Sequence, residues 1–324
     1  MRKGKPHHRD FVPEAAPLVQ AAAEGDLPRA RSLVKAGIPV SAFSNKSWGY
    51  YPIHVAAEKG HDKVVGFLLS SGANAETRTA AEFEQASDTP LLLACMNRHL
   101  KVVKVLVEAG ADINGRDWLK NTPLGNAIKN DDAKLIAYLL EKGAKAEQVH
   151  LRLATGKGNL ALMDLLVERG LRLDQPIGQP SLLNIAISRN RIDVVEWLAK
   201  RGVDVNQVSG DFSEPPLVQS CRMRKWDIAN ILLQNGADPN LGSKHLAFPL
   251  NYSVRCAGLS TAELLINKGA RLDTVDFEKM TPIDWAIEDK NKAMFDLLIK
   301  SGANVPKKTL AAATRLFGRS AATS

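Results

Sequence analysis

Thiols and imidazoles are the side chains of this sequence that could carry out nucleophilic or metal-dependent chemistry. The chain contains three cysteines and seven histidines. A catalytic thiol needs a base beside it, and no histidine is placed where it would activate Cys256. Cys95 and Cys221 each follow a small residue that is predicted to pack inside the protein, so both are interpreted as buried side chains. No cysteine is therefore predicted to be catalytic.

Phosphate-binding and metal-binding motifs are also missing from the sequence. The stretch Gly156-Lys-Gly-Asn159 lacks the spacing and the terminal Lys-Ser/Thr of a phosphate-binding loop. No group of cysteines and histidines has the spacing of a zinc site, and no pair of carboxylates lies at a defined cleft. We expect no catalytic residue, no metal and no cofactor, and we predict that the protein is not an enzyme.

The net charge of +8 would suit a nucleic-acid partner if it were concentrated on the folded body. However, residues 1–10 carry a net +3 and residues 306–324 a net +4, which leaves about +1 between them. We therefore expect no nucleic-acid partner, although binding to nucleic acid or to an anionic surface through basic side chains is kept as an alternative.

The composition indicates an ordinary folded chain, with 45% hydrophobic and 24% charged residues. No apolar run approaches the roughly 18 residues of a membrane span, and the basic start is not followed by the apolar segment of a secretory signal. Three cysteines without paired spacing fit a reducing compartment. We expect a cytoplasmic monomer without a membrane span, and export as an effector stays open.

The elements that position any site come from an internal repeat. A small residue is followed sixteen positions later by glycine, and this spacing occurs nine times, most often with a period of 33 residues. The nine pairs are Ala21/Gly37, Ala56/Gly72, Ala94/Gly110, Ala127/Gly143, Ala154/Gly170, Ala186/Gly202, Ser220/Gly236, Ser253/Gly269 and Ala286/Gly302. Each unit is one supersecondary element that must stack on its neighbours to bury its apolar face.

Each unit is predicted to be a pair of helices. Proline precedes the small residue by four positions in seven of the nine units, which suits the first turn of a helix. Before three of these prolines stands a threonine that can cap the helix, at Thr89, Thr122 and Thr281. Apolar residues such as Val64, Val65 and Leu68 form one stripe on the second helix, and the glycine ends it in a left-handed conformation.

Tyr51-Pro-Ile-His-Val-Ala-Ala-Glu-Lys-Gly-His, and Thr89-Pro-Leu in the next unit, resemble the ankyrin repeat. The resemblance covers residues about 15–318, as nine repeats and a truncated one. It implies an all-α solenoid of stacked helix pairs with β-hairpin fingers and a concave binding face. The consensus histidine of the first helix appears only as His54, so we expect incomplete hydrogen bonding between repeats. The expected divisions are a basic tail (1–13), the nine-repeat domain (14–305), a truncated capping repeat (306–318) and a C-terminal tail (319–324).

Two candidate binding surfaces follow from the register. The exposed ends of the first helices carry one cation and no anion in each of units four to eight, at Lys129, Lys157, Arg189, Arg222 and Arg255. Such a row would attract an acidic partner. A merely solvated face is the alternative interpretation.

Aromatic residues lie near the predicted finger tips, at Trp48, Tyr50, Trp118, Phe212 and Phe277. Aromatic side chains are enriched at binding hot spots, but they could equally fold back to seal the finger layer. Together the two surfaces predict a non-catalytic scaffold or adaptor that binds another protein on the concave face and finger tips, and an acidic segment of that partner would suit the row of cations. An inhibitor of the immunity or antitoxin type, capping an enzyme, is the alternative.

Overall fold

The computed structural model describes residues 16–41, 50–79, 88–174, 180–209, 214–244 and 248–318. Nineteen helices lie in these ranges. They are α1 (Ala16–Glu24), α2 (Leu27–Lys35), α3 (Pro52–Lys59), α4 (Asp62–Ser70), α5 (Pro90–Met96), α6 (Leu100–Glu108), α7 (Pro123–Lys129), α8 (Ala133–Glu141), α9 (Gln148–Lys157), α10 (Leu160–Glu168), α11 (Leu182–Ser188), α12 (Ile192–Lys200), α13 (Pro216–Arg222), α14 (Trp226–Gln234), α15 (Pro249–Arg255), α16 (Leu259–Asn267), α17 (Pro282–Glu288), α18 (Lys292–Lys300) and α19 (Leu310–Phe317).

The helices form two compact units, residues 1–153 and 154–324. Within the first unit, α1, α3, α5 and α7 pack side by side in sequence order, and α2, α4 and α6 form a second row. Within the second unit, α11, α13, α15 and α17 form one row, α12, α14, α16 and α18 form the other, and α19 contacts α17. Each unit is therefore a stack of helix pairs, and the all-α solenoid prediction is confirmed.

The predicted helix starts and apolar stripes are confirmed. The hydroxyls of Thr89 and Thr122 accept hydrogen bonds from backbone N–H groups three residues later, at 3.3 and 3.0 Å. On α4, Val64, Val65 and Leu68 are buried, and burying such a side chain contributes roughly 1.5–3 kcal/mol. The nine closing glycines have φ between 74° and 96°.

The turn between the two helices of each pair holds a feature that the sequence analysis missed. One residue of this turn has positive φ in all nine pairs, and in six of them it is not glycine. These six, with φ between 52° and 64°, are Arg98, Asp131, Asn190, Arg224, Ala257 and Lys290. A left-handed conformation costs a residue with a Cβ roughly 1–2 kcal/mol. The helix packing on both sides imposes this conformation whatever the residue type.

Hydrogen bonding at the position of His54 is incomplete, as expected, because Leu92 and Val218 occupy this position in two other repeats. Histidine is nevertheless not the only residue that makes the bond. His54 Nδ1 accepts from the Tyr51 N–H at 3.3 Å, so Nε2 carries the hydrogen and donates to the Thr77 carbonyl at 2.9 Å. At the same position of a later repeat, Asn251 Nδ2 donates to the Thr274 carbonyl at 3.3 Å. An amide therefore replaces the imidazole, because both side chains offer an N–H donor and an acceptor atom.

The fingers are shorter than the expected β-hairpins. In the parts of the chain that are described, the only β pairing is an isolated bridge between Ser209 and Glu214. The turn after Asp276 is closed by two backbone hydrogen bonds, from the Asp276 N–H to the Met280 carbonyl at 3.1 Å and from the Lys279 N–H to the Asp276 carbonyl at 2.9 Å. Neighbouring fingers are joined by asparagine side chains, as where Asn206 Oδ1 accepts the Asp238 N–H at 2.8 Å. These lateral bonds take the place of a ladder.

Two repeats are shorter than the usual 33 residues: the one that begins with α9 and the truncated repeat at the C-terminal end. Only six residues separate the end of α8 from α9, and α9 has ten residues where α7 has seven. At the C-terminal end, α19 lies in the predicted truncated repeat. The Phe317 ring stacks on Phe295 with 4.6 Å between centroids, and the Thr309 hydroxyl donates to the Asp284 carboxylate at 3.1 Å. The tails 1–13 and 319–324 lie outside the described residues.

Candidate protein-binding surface

The predicted cations lie at the ends of first helices, as the register indicates. In the second unit, Lys157, Arg222 and Arg255 are the last residues of α9, α13 and α15, and Arg189 directly follows α11. All four are exposed. In the first unit, Lys129 ends α7, and its ammonium group donates to the Asn121 side chain at 2.6 Å.

Arg222 does not present a free charge, although the helix end of its repeat carries one cation and no anion. Its Nε and Nη2 atoms donate to the two carboxylate oxygens of Glu214 at 2.9 and 2.8 Å. Glu214 is only 7% exposed. The hydrogen bonds that Arg222 donates to Glu214 raise the pKa of its guanidinium. This bidentate pair neutralises the cation and fixes its orientation.

Arg255 is held in a similar way by the next repeat. Its Nη1 atom lies 2.9 Å from the Glu278 carboxylate, and its guanidinium lies over the Trp285 ring at 4.3 Å from the centroid. The helix-end register could not reveal either carboxylate, because Glu214 and Glu278 belong to fingers. Two of the five predicted cations are therefore paired within the protein.

Lys157 and Arg189 make no ion pair with any described residue. The structure adds Arg224, which is exposed and likewise unpaired among the described side chains. Arg224 occupies the left-handed turn position with a φ of 56°. The sequence signal that could have found it is its spacing, four residues after the small residue Ser220. At the helix ends and turns between the paired helices of repeats five to seven, the fully exposed cations without an ion pair among the described residues are therefore Lys157, Arg189 and Arg224.

Two of the aromatic tip residues project from their fingers. Trp118 is 49% exposed and Phe277 is 55% exposed. Both follow an aspartate that organises the turn: the Asp117 carboxylate accepts from the backbone and side-chain N–H groups of Asn121, each at 2.7 Å. About half of the surface of each residue therefore remains in contact with solvent.

The other three aromatic candidates differ from Trp118 and Phe277. Tyr50 lies against its own repeat, with its ring 6.0 Å from the His54 ring, and burial raises the pKa of its hydroxyl. Trp48 and Phe212 lie outside the described residues. Sequence reasoning missed Leu119, which is 58% exposed beside Trp118. Leucine is apolar but not aromatic, so the pattern of aromatic residues near the finger tips does not include it.

Two of the three cysteines are buried, and the third, Cys256, is half-buried. Cys95 and Cys221 are fully buried, and burial raises the pKa of the Cys221 thiol to about 12. Such thiols remain protonated and inaccessible at neutral pH. Across residues 16–318, excluding the undescribed gaps, no three histidine, cysteine or acidic side chains form a group that could hold a metal ion. Within the same ranges, every helix is too short or too polar to cross a membrane.

Comparison with models of protein families identifies the family of this chain. Models described as ankyrin repeats match residues 48–80, 79–150, 151–243 and 217–309. The chain belongs to the ankyrin repeat family. Ankyrin repeats are generally protein–protein interaction modules and typically lack catalytic activity, so the general character of this chain is that of a binding module.

Similar proteins carry ankyrin repeats within longer chains. The ankyrin repeat and KH domain-containing protein mask-1 of Caenorhabditis elegans is 28% identical over 70% of this chain and 9% of its own length. The putative ankyrin repeat protein FPV022 of Fowlpox virus is 26% identical over 78% of this chain and 42% of its own length. The E3 ubiquitin-protein ligase XBAT33 of Arabidopsis thaliana is 30% identical over 43% of this chain and 26% of its own length. The chain thus spans less than half of each of these relatives.

Proposed function

We propose that this ankyrin repeat protein is a non-catalytic adaptor that holds a partner protein between its finger tips and the exposed ends of its first helices. The observation that carries the proposal is the exposure of Trp118 and Phe277 on turns held by aspartate side chains. A rigid apolar anchor loses little conformational entropy on binding, so such residues contribute strongly to affinity.

The charge distribution supports a partner with acidic character. Lys157 and Arg189 are exposed without an internal counterion among the described residues. Paired cations such as Arg222 gain little from a second carboxylate, because Glu214 already neutralises them. Free cations steer an acidic protein towards this face and increase the rate of association. The free cysteines fit a protein that acts as an intracellular monomer.

A reconstituted complex tests the proposed contact surface. The partner is identified by chemical crosslinking in the native cell, purified, and titrated against this protein by calorimetry. We expect Trp118→Ser and Phe277→Ser each to lower affinity by at least about fivefold, as for a hot-spot residue.

Leu259→Ser is the matched control, because Leu259 is also an exposed apolar residue but lies on a second helix, α16. It should leave the affinity unchanged. If both tip variants bind as tightly as the wild type while remaining folded, the finger tips are not the contact surface.

A further inference from the structure

The three unpaired cations lie one per repeat in three successive repeats. Lys157 belongs to the fifth, Arg189 to the sixth and Arg224 to the seventh, all at the turn between the two helices of a pair. In the eighth repeat the row stops, because Arg255 is paired with Glu278. Exposed carboxylates on the following helices, Asp193 and Asp227, form no ion pair with these cations.

Side-chain hydrogen bonds hold the three turns in register. Arg191 Nε donates to the carbonyl of Gly156, the neighbour of Lys157, at 3.3 Å. Gln219 Nε2 donates to the hydroxyl of Ser188, the neighbour of Arg189, at 2.9 Å. Both bonds join one repeat to the next beside a free cation. The backbone positions of successive cations are therefore fixed relative to each other before any partner arrives.

The spacing of this row selects a ligand conformation. Packed helices lie about 8–10 Å apart, so the equivalent positions of Lys157 and Arg189 are separated by about that distance. Arg224 lies one residue further along its own turn, in the next repeat. A polyproline II segment rises about 3.1 Å per residue and has three residues per turn, so every third side chain lies on one face about 9 Å further along. In a β-strand, side chains on one face recur after about 7 Å, which does not match.

We infer that Lys157, Arg189 and Arg224 bind an acidic polypeptide segment in the polyproline II conformation, with a carboxylate at every third residue. This inference rests on the proposed function and specifies the partner segment. A nucleic-acid strand fits less well, because the described residues place no exposed aromatic ring among these cations on which a base could stack.

Synthetic peptides test the spacing directly on the full chain. The first probe is a peptide of about twelve residues with the repeating sequence Glu-Pro-Pro. The second has the same composition with its glutamates adjacent. The third is an alanine-rich helical peptide with glutamate at every seventh residue, whose same-face spacing is also about 10 Å. Binding is measured by fluorescence anisotropy at low salt and again near physiological ionic strength.

We expect the first peptide to bind at least about fivefold more tightly than the second. The triple variant Lys157→Glu/Arg189→Glu/Arg224→Glu should weaken that binding by more than about tenfold. Arg169→Glu is the matched control and should have no effect, because Arg169 is exposed but follows the second helix α10.

A gain-of-function variant keeps the test independent of folding defects. Glu278 is an exposed finger residue whose replacement leaves the core intact. Glu278→Gln removes the counterion of Arg255 while Trp285 still supports the guanidinium. The row then extends into the eighth repeat, and a Glu-Pro-Pro peptide longer by one unit should gain about two- to fivefold in affinity.

Three results would overturn the inference. They are equal binding of the first two peptides, tighter binding of the helical peptide, and tighter binding of single-stranded oligothymidine than of any peptide. A further outcome is a purified partner that binds the triple variant as tightly as the wild type but binds a Phe277 variant more weakly. That result would overturn the acidic-segment site and would still support the adaptor function. A partner unaffected by either change would remove both.

Discussion

Acidification should destabilise the first unit through His54. This side chain is fully buried, and burial, opposed by hydrogen bonds to carbonyls including that of Thr77, lowers its pKa from 6.5 to about 4. The folded state therefore keeps His54 neutral, whereas the unfolded chain takes up a proton near pH 6.5. Because the unfolded state then binds more protons, stability is complete above about pH 6.5 and falls as the pH decreases towards about 4.

The magnitude follows from the size of the shift. One pKa unit corresponds to about 1.4 kcal/mol, so His54 should cost the fold about 2 kcal/mol at pH 5 and about 3 kcal/mol at pH 4. The physical cause is local: a proton on Nδ1 would face the Tyr51 N–H, which this nitrogen accepts in the neutral state.

His54→Asn is the control that isolates this histidine. Asn251 makes the equivalent hydrogen bond to Thr274 in a later repeat, so an asparagine fits the position and does not titrate. We expect the variant to lose about 1 kcal/mol at neutral pH because its hydrogen bonds are less well placed. Its stability should then depend less on pH than that of the wild type. His150, whose pKa burial also lowers, is present in both proteins and cancels.

Urea unfolding from about pH 7 to about pH 5 measures the difference. Hydrogen exchange of the α3 and α5 amides should accompany it, because stacked repeats can open separately. Parallel stability curves for the two proteins would refute the reasoning, since burial of His54 would then have no effect on proton binding.

The other predictions concern backbone conformation and the C-terminal cap. Ala257→Gly should stabilise the second unit by about 0.5–1 kcal/mol in urea unfolding, because the left-handed φ of 58° strains a residue with a Cβ; a loss of stability would contradict this strain. Gly60→Ala should lower the melting temperature of the first unit by several degrees, because the added Cβ would lie 2.7–3.0 Å from atoms of the His99 ring. An unchanged melting temperature would show that the His99 ring moves away without cost. Phe317→Ala should remove the stack on Phe295 and cost about 2 kcal/mol, seen as faster hydrogen exchange in α19; unchanged exchange would mean that other contacts hold the cap.

The sequence alone determined the repeat and the helix boundaries. Proline at the first helical position, a threonine cap and a closing glycine act within a few residues of each other, so their spacing predicts each helix pair without knowledge of its neighbours. The same register assigns Lys157 and Arg189 to helix ends and Trp118 and Phe277 to the fingers, and these four side chains are exposed.

The tertiary structure decided which of these side chains are available to a partner. Arg222 and Arg255 have the same local sequence position as other cations, yet carboxylates of the fingers neutralise both. Arg224 became a candidate because the structure leaves its side chain exposed and without an ion pair among the described residues. Ion pairs and exposure depend on where a finger places its side chains in space. A helix register describes one element at a time, so it cannot predict ion pairs or exposure that depend on a neighbouring finger.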